Sequence, residues 1–232
     1  MSKKRVAFLS VGVLSFLTGL FFIFGANSTA KSLSIEEKYT AFNFEKVSAE
    51  EQIGEYSFDK AHSSIGFRIK HMGLVDVPGY FRDFTGAVNL DGKKLKDSSV
   101  EFSAVMKSVD TGINGRDNHL RSKDFFEVEK YPEMTFKSKK IKKKGKTYRV
   151  TGDFTMKGVT KEMTIPMRMY GPIKDGRGTI RMGVTGQTVI NRRDFNVNYG
   201  TNLPNGVPML ADSVVVDLQI ESVKQKEKTD EN

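Results

Sequence analysis

Apolar and polar residues alternate with a period of two along most of the chain after Tyr56. Ile65, Phe67 and Ile69 are separated by Gly66 and Arg68; Val100, Phe102, Ala104 and Met106 by Glu101, Ser103 and Val105. The same parity runs through Val150, Gly152, Phe154 and Met156, through Met163, Ile165, Met167 and Met169, and through Val214, Val216, Leu218 and Ile220. Such alternation predicts strands with one apolar and one wet face. Turn signals fall between them, at Asp91-Gly92, Gly145, Lys157-Gly158, Asp175-Gly176 and Pro204-Asn205-Gly206. Eight or nine strands are expected between Tyr56 and Lys224, with one helical interruption around Asn114 to Ser122. Strands of this kind form a sandwich or close into a barrel, and the repeated short turns favour an up-and-down barrel. The fold class expected is therefore all-β, an eight-stranded antiparallel barrel with a short helix.

The first thirty residues follow a different pattern. Met1 to Arg5 is basic, Val6 to Ala26 carries no charge, and Ser28-Thr29-Ala30 supplies small residues at a cleavage position. Basic, apolar and small in that order is an export signal. The uncharged run is also long enough to span a bilayer, at ~20 residues, so an anchor formed by residues 6–26 is the alternative to a cleaved signal. Either way the rest of the chain is expected outside the cytoplasm, in the periplasm or another extracytoplasmic space. Residues 31–54 read as a polar spacer with a helical turn near Ser48 to Ile53, residues 55–224 as the barrel, and residues 225–232 as a charged tail.

Composition narrows the chemistry. The chain has 232 residues, 38% of them apolar and 28% charged, with no cysteine. That excludes a disulfide scaffold, a thiolate metal site, a cysteine nucleophile and an acylated cysteine. The three histidines, His62, His71 and His119, fit no metal-ligand spacing, so no metal and no cofactor are expected. Neither a nucleophile elbow nor a phosphate-binding glycine loop is present. The formal charge is +9, and lysines crowd residues 137–149. This run could hold an anionic membrane surface. It also straddles a turn, where lysines keep a hairpin soluble. Poor aromatic interleaving and export argue against nucleic acid as a partner. Arg116, Asp117 and His119 could serve as acid–base groups or as a structural pin across a barrel end. Met106, Met134, Met156, Met163, Met167, Met169 and Met182 share inward parity, which suits either a filled core or an adaptable apolar cavity.

Several blocks resemble the YceI-like family of polyisoprenoid-binding proteins. They are Tyr56-x-Phe58-Asp59 with His62-Ser63 and His71; Gly79-x-Phe81-x-x-Phe84-x-Gly86; and Arg116-Asp117-x-His119-Leu120 followed by Ser122, Asp124-Phe125-Phe126, Tyr131-Pro132 and Phe136. Gly152-x-Phe154 with Gly158-x-Thr160, and Arg193-x-Phe195, are similar to later blocks, although Asn196 stands where a glycine is commoner. The resemblance covers Tyr56 to about Val223. It implies a lipocalin-like barrel, a long-chain isoprenoid or other lipid as ligand, and no catalytic residues. On that basis the expected function is an exported lipid carrier. Phe67, Ile69, Phe102, Met106, Phe136, Phe154, Ile165, Met167, Val216 and Leu218 are the expected tunnel lining. His71, Arg116, Asp117 and His119 are the expected head-group contacts. The competing readings are a lipid-modifying enzyme using His119 and Asp117, and an anionic-surface module using the lysine-rich hairpin.

Overall fold

The computed structural model describes residues 47–226 apart from residue 93. The expected signal or anchor, most of the spacer (31–46) and the end of the tail (227–232) lie outside the described residues. Among the described residues, eleven strands and one α-helix, α1 (Asn114–Arg121), make up the architecture. The strands are β1 (Gly54–Phe58), β2 (Ser64–His71), β3 (Val75–Phe81), β4 (Phe84–Leu90), β5 (Ser99–Val105), β6 (Val109–Asp110), β7 (Glu133–Lys144), β8 (Thr147–Met156), β9 (Val159–Lys174), β10 (Ile180–Asn191) and β11 (Leu210–Lys224). Every pairing is antiparallel, in the order β1-β4-β5-β7-β8-β9-β10-β11, and β11 pairs back onto β1 to close an eight-stranded ring. Strands β2, β3 and β6 continue β1, β4 and β5 beyond short breaks. Eight long strands, three of them broken, therefore make the barrel that the turn spacing predicts.

The breaks have a physical role. Tyr56 and Phe58 point inward on β1, whereas Ile65 and Phe67 do so on β2, so parity flips across the turn at residues 59–63. Phe81 and Phe84, both buried, show the same flip across Arg82-Asp83. Each break bends a strand and re-aims its apolar face, which a small closed barrel requires. The third break is a 3-10 turn at Met106–Ser108, so Met106, expected on the strand, is buried in a turn instead.

The two barrel ends differ. At the closed end, residues 47–53 belong to the barrel rather than to a free spacer. Ser48 and Glu51 cap each other reciprocally (3.1 and 3.2 Å), Val47 is buried, and the fully buried Tyr56 donates its hydroxyl to the Gln52 carbonyl at 2.8 Å. The lysine-rich β7–β8 hairpin also turns at this end, with Lys139 held by Asp153 at 2.6 Å. At the open end the ring parts. β6 pairs with β3 alone, and β9 leaves β10 beyond the Met167–Gly186 pair. Two segments fill these gaps: α1 with residues 122–132, and the 3-10 turn Arg192–Phe195 with the residues after it.

One side chain ties both fillers to the β8–β9 turn. Lys157 and Gly158 form a two-residue turn with φ of 48° and 75°, the mirror-image geometry that suits a tight hairpin. Lys157 is a non-glycine residue in the left-handed region and is nonetheless buried. Its ammonium donates to the carbonyls of Lys123 and Phe125 in one filler and of Asn196 in the other.

An ion cluster reinforces the wall near the closed end. Arg181 contacts Asp59 at 2.8 Å, Glu221 at 2.7 Å and Asp175 at 3.0 Å. Hydrogen bonds from His62 and then Arg181 hold the Asp59 carboxyl down at about 2, and Arg181 lowers that of Asp175 as well. Depressed carboxylates contribute stability that is complete above their unfolded values, near 4, and lost as pH falls through the folded values. Thermal stability, followed by circular dichroism, should therefore fall from about pH 5 towards pH 2. Arg181→Ala should lower it at neutral pH and make the acid fall shallower. An unchanged acid limb would show that the cluster does not govern it.

Candidate functional site

The open half of the barrel encloses an apolar cavity of about 280 Å³. Ile65, Phe67 and Ile69 of β2 and Val214 and Val216 of β11 line one wall, and Phe154 and Met156 of β8 face them. Cross-strand register explains the first wall: Phe67 pairs with Val216 and Ile69 with Val214, so their side chains share a face. Phe125 and Phe126, buried and supplied by the loop after α1, close the gap beside β6. Below this chamber lies a second void of about 10 Å³, lined wholly by apolar residues, among them Met167, Val184 and Leu218. Ile65 and Phe102 line both spaces.

The expected lining therefore divides by depth. Phe67, Ile69, Phe102, Phe154 and Val216 line the chamber, Met167 and Leu218 the lower void. Met106, Phe136 and Ile165 line neither and are core, Phe136 stacking on Phe102 at 5.7 Å. Parity distinguishes inside from outside but carries no information on height along the axis. Likewise Met134 and Met156 face the chamber, while Met106 and Met182 are packed in the core.

Of the expected polar residues, His71, Arg116 and His119 line the chamber. Asp117 does not. Its buried carboxylate accepts from the Thr111 amide at 2.9 Å and from the Thr111 hydroxyl at 2.5 Å, while Arg116 donates to that hydroxyl and to the Thr111 carbonyl, each at 2.7 Å. This arrangement pins the start of α1 to the end of β6. His119 takes its carboxylate from Asp124 at 3.0 Å, not from Asp117, and its ring meets Phe125 and Tyr199 edge-on. The His119–Asp117 acid–base pair considered from sequence is thus not formed.

Arg192 is a chamber residue that the sequence reading missed. It is 3% exposed, and its guanidinium donates to the carbonyls of Val197 and Tyr199 at 2.7 Å and of Ala211 at 2.9 Å. Burial lowers its pKa from the ordinary guanidinium value. Its even parity with Met182, Val184 and Ile190 was the available signal. Among the described residues, the polar side chains lining the chamber are Thr111, His71, His119, Arg116 and Arg192, with no carboxylate among them. Arg192 is saturated by its carbonyl partners and by Asp212 at 3.3 Å, so the donors and positive charge offered at the open end come from the other polar residues, with apolar surface elsewhere.

Asp59, His62 and Glu221 bring ligand atoms within 4.8 Å of one another, the one grouping of metal-ligand type among the described residues. Arg181 binds both carboxylates, so the cluster already holds its cation.

A family model described as a YceI-like domain matches residues 56–222. A UPF0312 protein of Pectobacterium carotovorum is 38% identical over 174 residues, which span 74% of this chain and 88% of the relative. The crystal structure of Burkholderia cenocepacia BcnA superposes with a TM-score of 0.63 at 27% identity, over 71% of this chain and 98% of BcnA. A polyisoprenoid binding domain from Saccharophagus degradans, implicated in plant cell wall breakdown, shares the fold with a TM-score of 0.57 at 17% identity, over 73% of this chain and 98% of that domain. With its closed eight-stranded barrel and a family match across nearly the whole of it, this chain belongs to the YceI-like family.

Proposed function

We propose that this protein binds a long-chain amphiphile, an isoprenoid or similar lipid, and carries or stores it in the aqueous space outside the cytoplasm. The observation that carries the reading is the chamber itself: an apolar interior with donors and cations gathered at its open end. Each methylene exposed to water costs ~0.8 kcal/mol, so a tail gains steadily by entering such a space. A head group rich in acceptors or negative charge meets Arg116, His71 and His119. The Saccharophagus domain described as polyisoprenoid-binding has the same barrel, which supports an isoprenoid tail. The basic, apolar and small-residue order of residues 1–30 supports export and leaves an anchored form open.

Native mass spectrometry of the protein taken from its own host tests this directly. The expected result is one equivalent of an unaltered lipid with a long hydrocarbon tail. Consistent recovery without any lipid, or recovery of a chemically converted product, would overturn the carrier reading.

A further inference from the structure

The chamber of about 280 Å³ lies just below the usual range for ligand pockets, ~300–1,000 Å³, and is short for a long tail. More apolar space lies beneath it, in the void lined by Met167 and Leu218, and a pair of side chains borders both spaces. Ile65 projects from β2 and Phe102 from β5, and each touches both spaces. Phe102 is held in place by its stack on Phe136, with the rings 21° from parallel. At about 10 Å³ the lower void has room for about one water, yet its lining offers that water no polar partner. It is therefore dry space that a hydrocarbon could use, beside a methionine able to change shape.

We infer that Phe102, backed by Ile65, is a partition that sets the length of tail this barrel accepts. The inference rests on the amphiphile-binding reading above and adds a specificity residue to it. With Phe102 in place the tail ends at the chamber floor. With its ring removed, chamber and void become one space, and a longer tail continues down the barrel axis.

The test uses straight-chain fatty acids lengthened two carbons at a time, kept below their micelle concentrations. Binding is read by displacement of a fluorescent fatty acid and by native mass spectrometry. In the wild-type protein affinity should rise about fourfold per methylene and then level off. In Phe102→Ala, short chains should bind as before, while the plateau moves to longer chains. A chain two methylenes beyond the wild-type limit should gain roughly tenfold or more. Adding Leu218→Phe to Phe102→Ala refills the void from below and should bring the plateau back. If Phe102→Ala does not fold, Phe102→Leu should shift the plateau the same way by a smaller amount. Identical length profiles for wild type and the folded Phe102 variant would overturn the partition. Absence of binding at every length in the wild type would instead overturn the amphiphile reading.

Discussion

A Gly152→Val chain is expected not to fold. A Cβ at position 152 would lie 2.3 Å from the Lys137 carbonyl oxygen and 2.7 Å from the Ser138 Cα. Both are backbone atoms of β7, the strand paired with β8 at that point, and the ladder shifts register between Ser138 and Lys140. The Ser138 hydroxyl also accepts the Val100 amide at 2.9 Å, so β7 is fixed from its other side as well. A side-chain tip can swing away from such a clash, whereas a strand in the middle of a closed ring cannot. Overpacking against movable side chains costs ~1–3 kcal/mol. Against this backbone Gly152→Ala alone should cost about 3 kcal/mol or more, a large share of the ~5–15 kcal/mol that a domain has. Gly183→Ala is the contrast: its nearest neighbour would be the Tyr170 Cβ at 3.5 Å, an ordinary contact. That change should be neutral or slightly stabilising. Urea unfolding midpoints compare the two, and equal behaviour would mean that the close approach at Gly152 can relax.

Val216→Asp should empty the chamber while leaving the barrel folded. Val216 faces the chamber beside Phe67, so its replacement sets a carboxylate against the tail. Burying that charge without a partner costs several kcal/mol, more than a few tail methylenes return at ~0.8 kcal/mol each. Lipid occupancy should fall at least a hundredfold. In the lipid-free protein the carboxylate can keep water around it, and for that reason the fold should survive. Gln219→Asp, outward on the same strand and exposed, should bind as the wild type does. Val216→Thr, nearly isosteric, should lose a smaller part of the affinity. Full occupancy in a folded Val216→Asp protein, seen by native mass spectrometry, would remove the chamber as the binding site.

The strand set was legible because one-faced burial writes itself into the sequence as a period of two. Phe67, Phe154, Met182 and Leu218 all point inward, as their parity requires. The helix was legible from the loss of that period. The strand breaks were harder to read. Val105 to Val109 looks like continuous strand in sequence, and the 3-10 turn there is recognisable only through the parity flip that it causes. Height along the barrel axis has no signature at all, so Ile165 and Phe67 read alike although one is core and the other chamber wall. Asp117 and His119 show a further limit. Two residues apart on a helix they point to different sides, and Thr111 and Asp124, brought in by chain reversals on either side, claim them separately.

The Lys157 ammonium gives the open end a mechanical property. It bonds to both gap-filling segments at once, and its three partners are neutral carbonyls. The two segments therefore share one anchor on the β8–β9 turn. Lifting either segment off the barrel costs hydrogen bonds at this one ammonium. Because no carboxylate serves the latch, protonation of an acidic partner cannot loosen it, unlike the carboxylate cluster around Arg181.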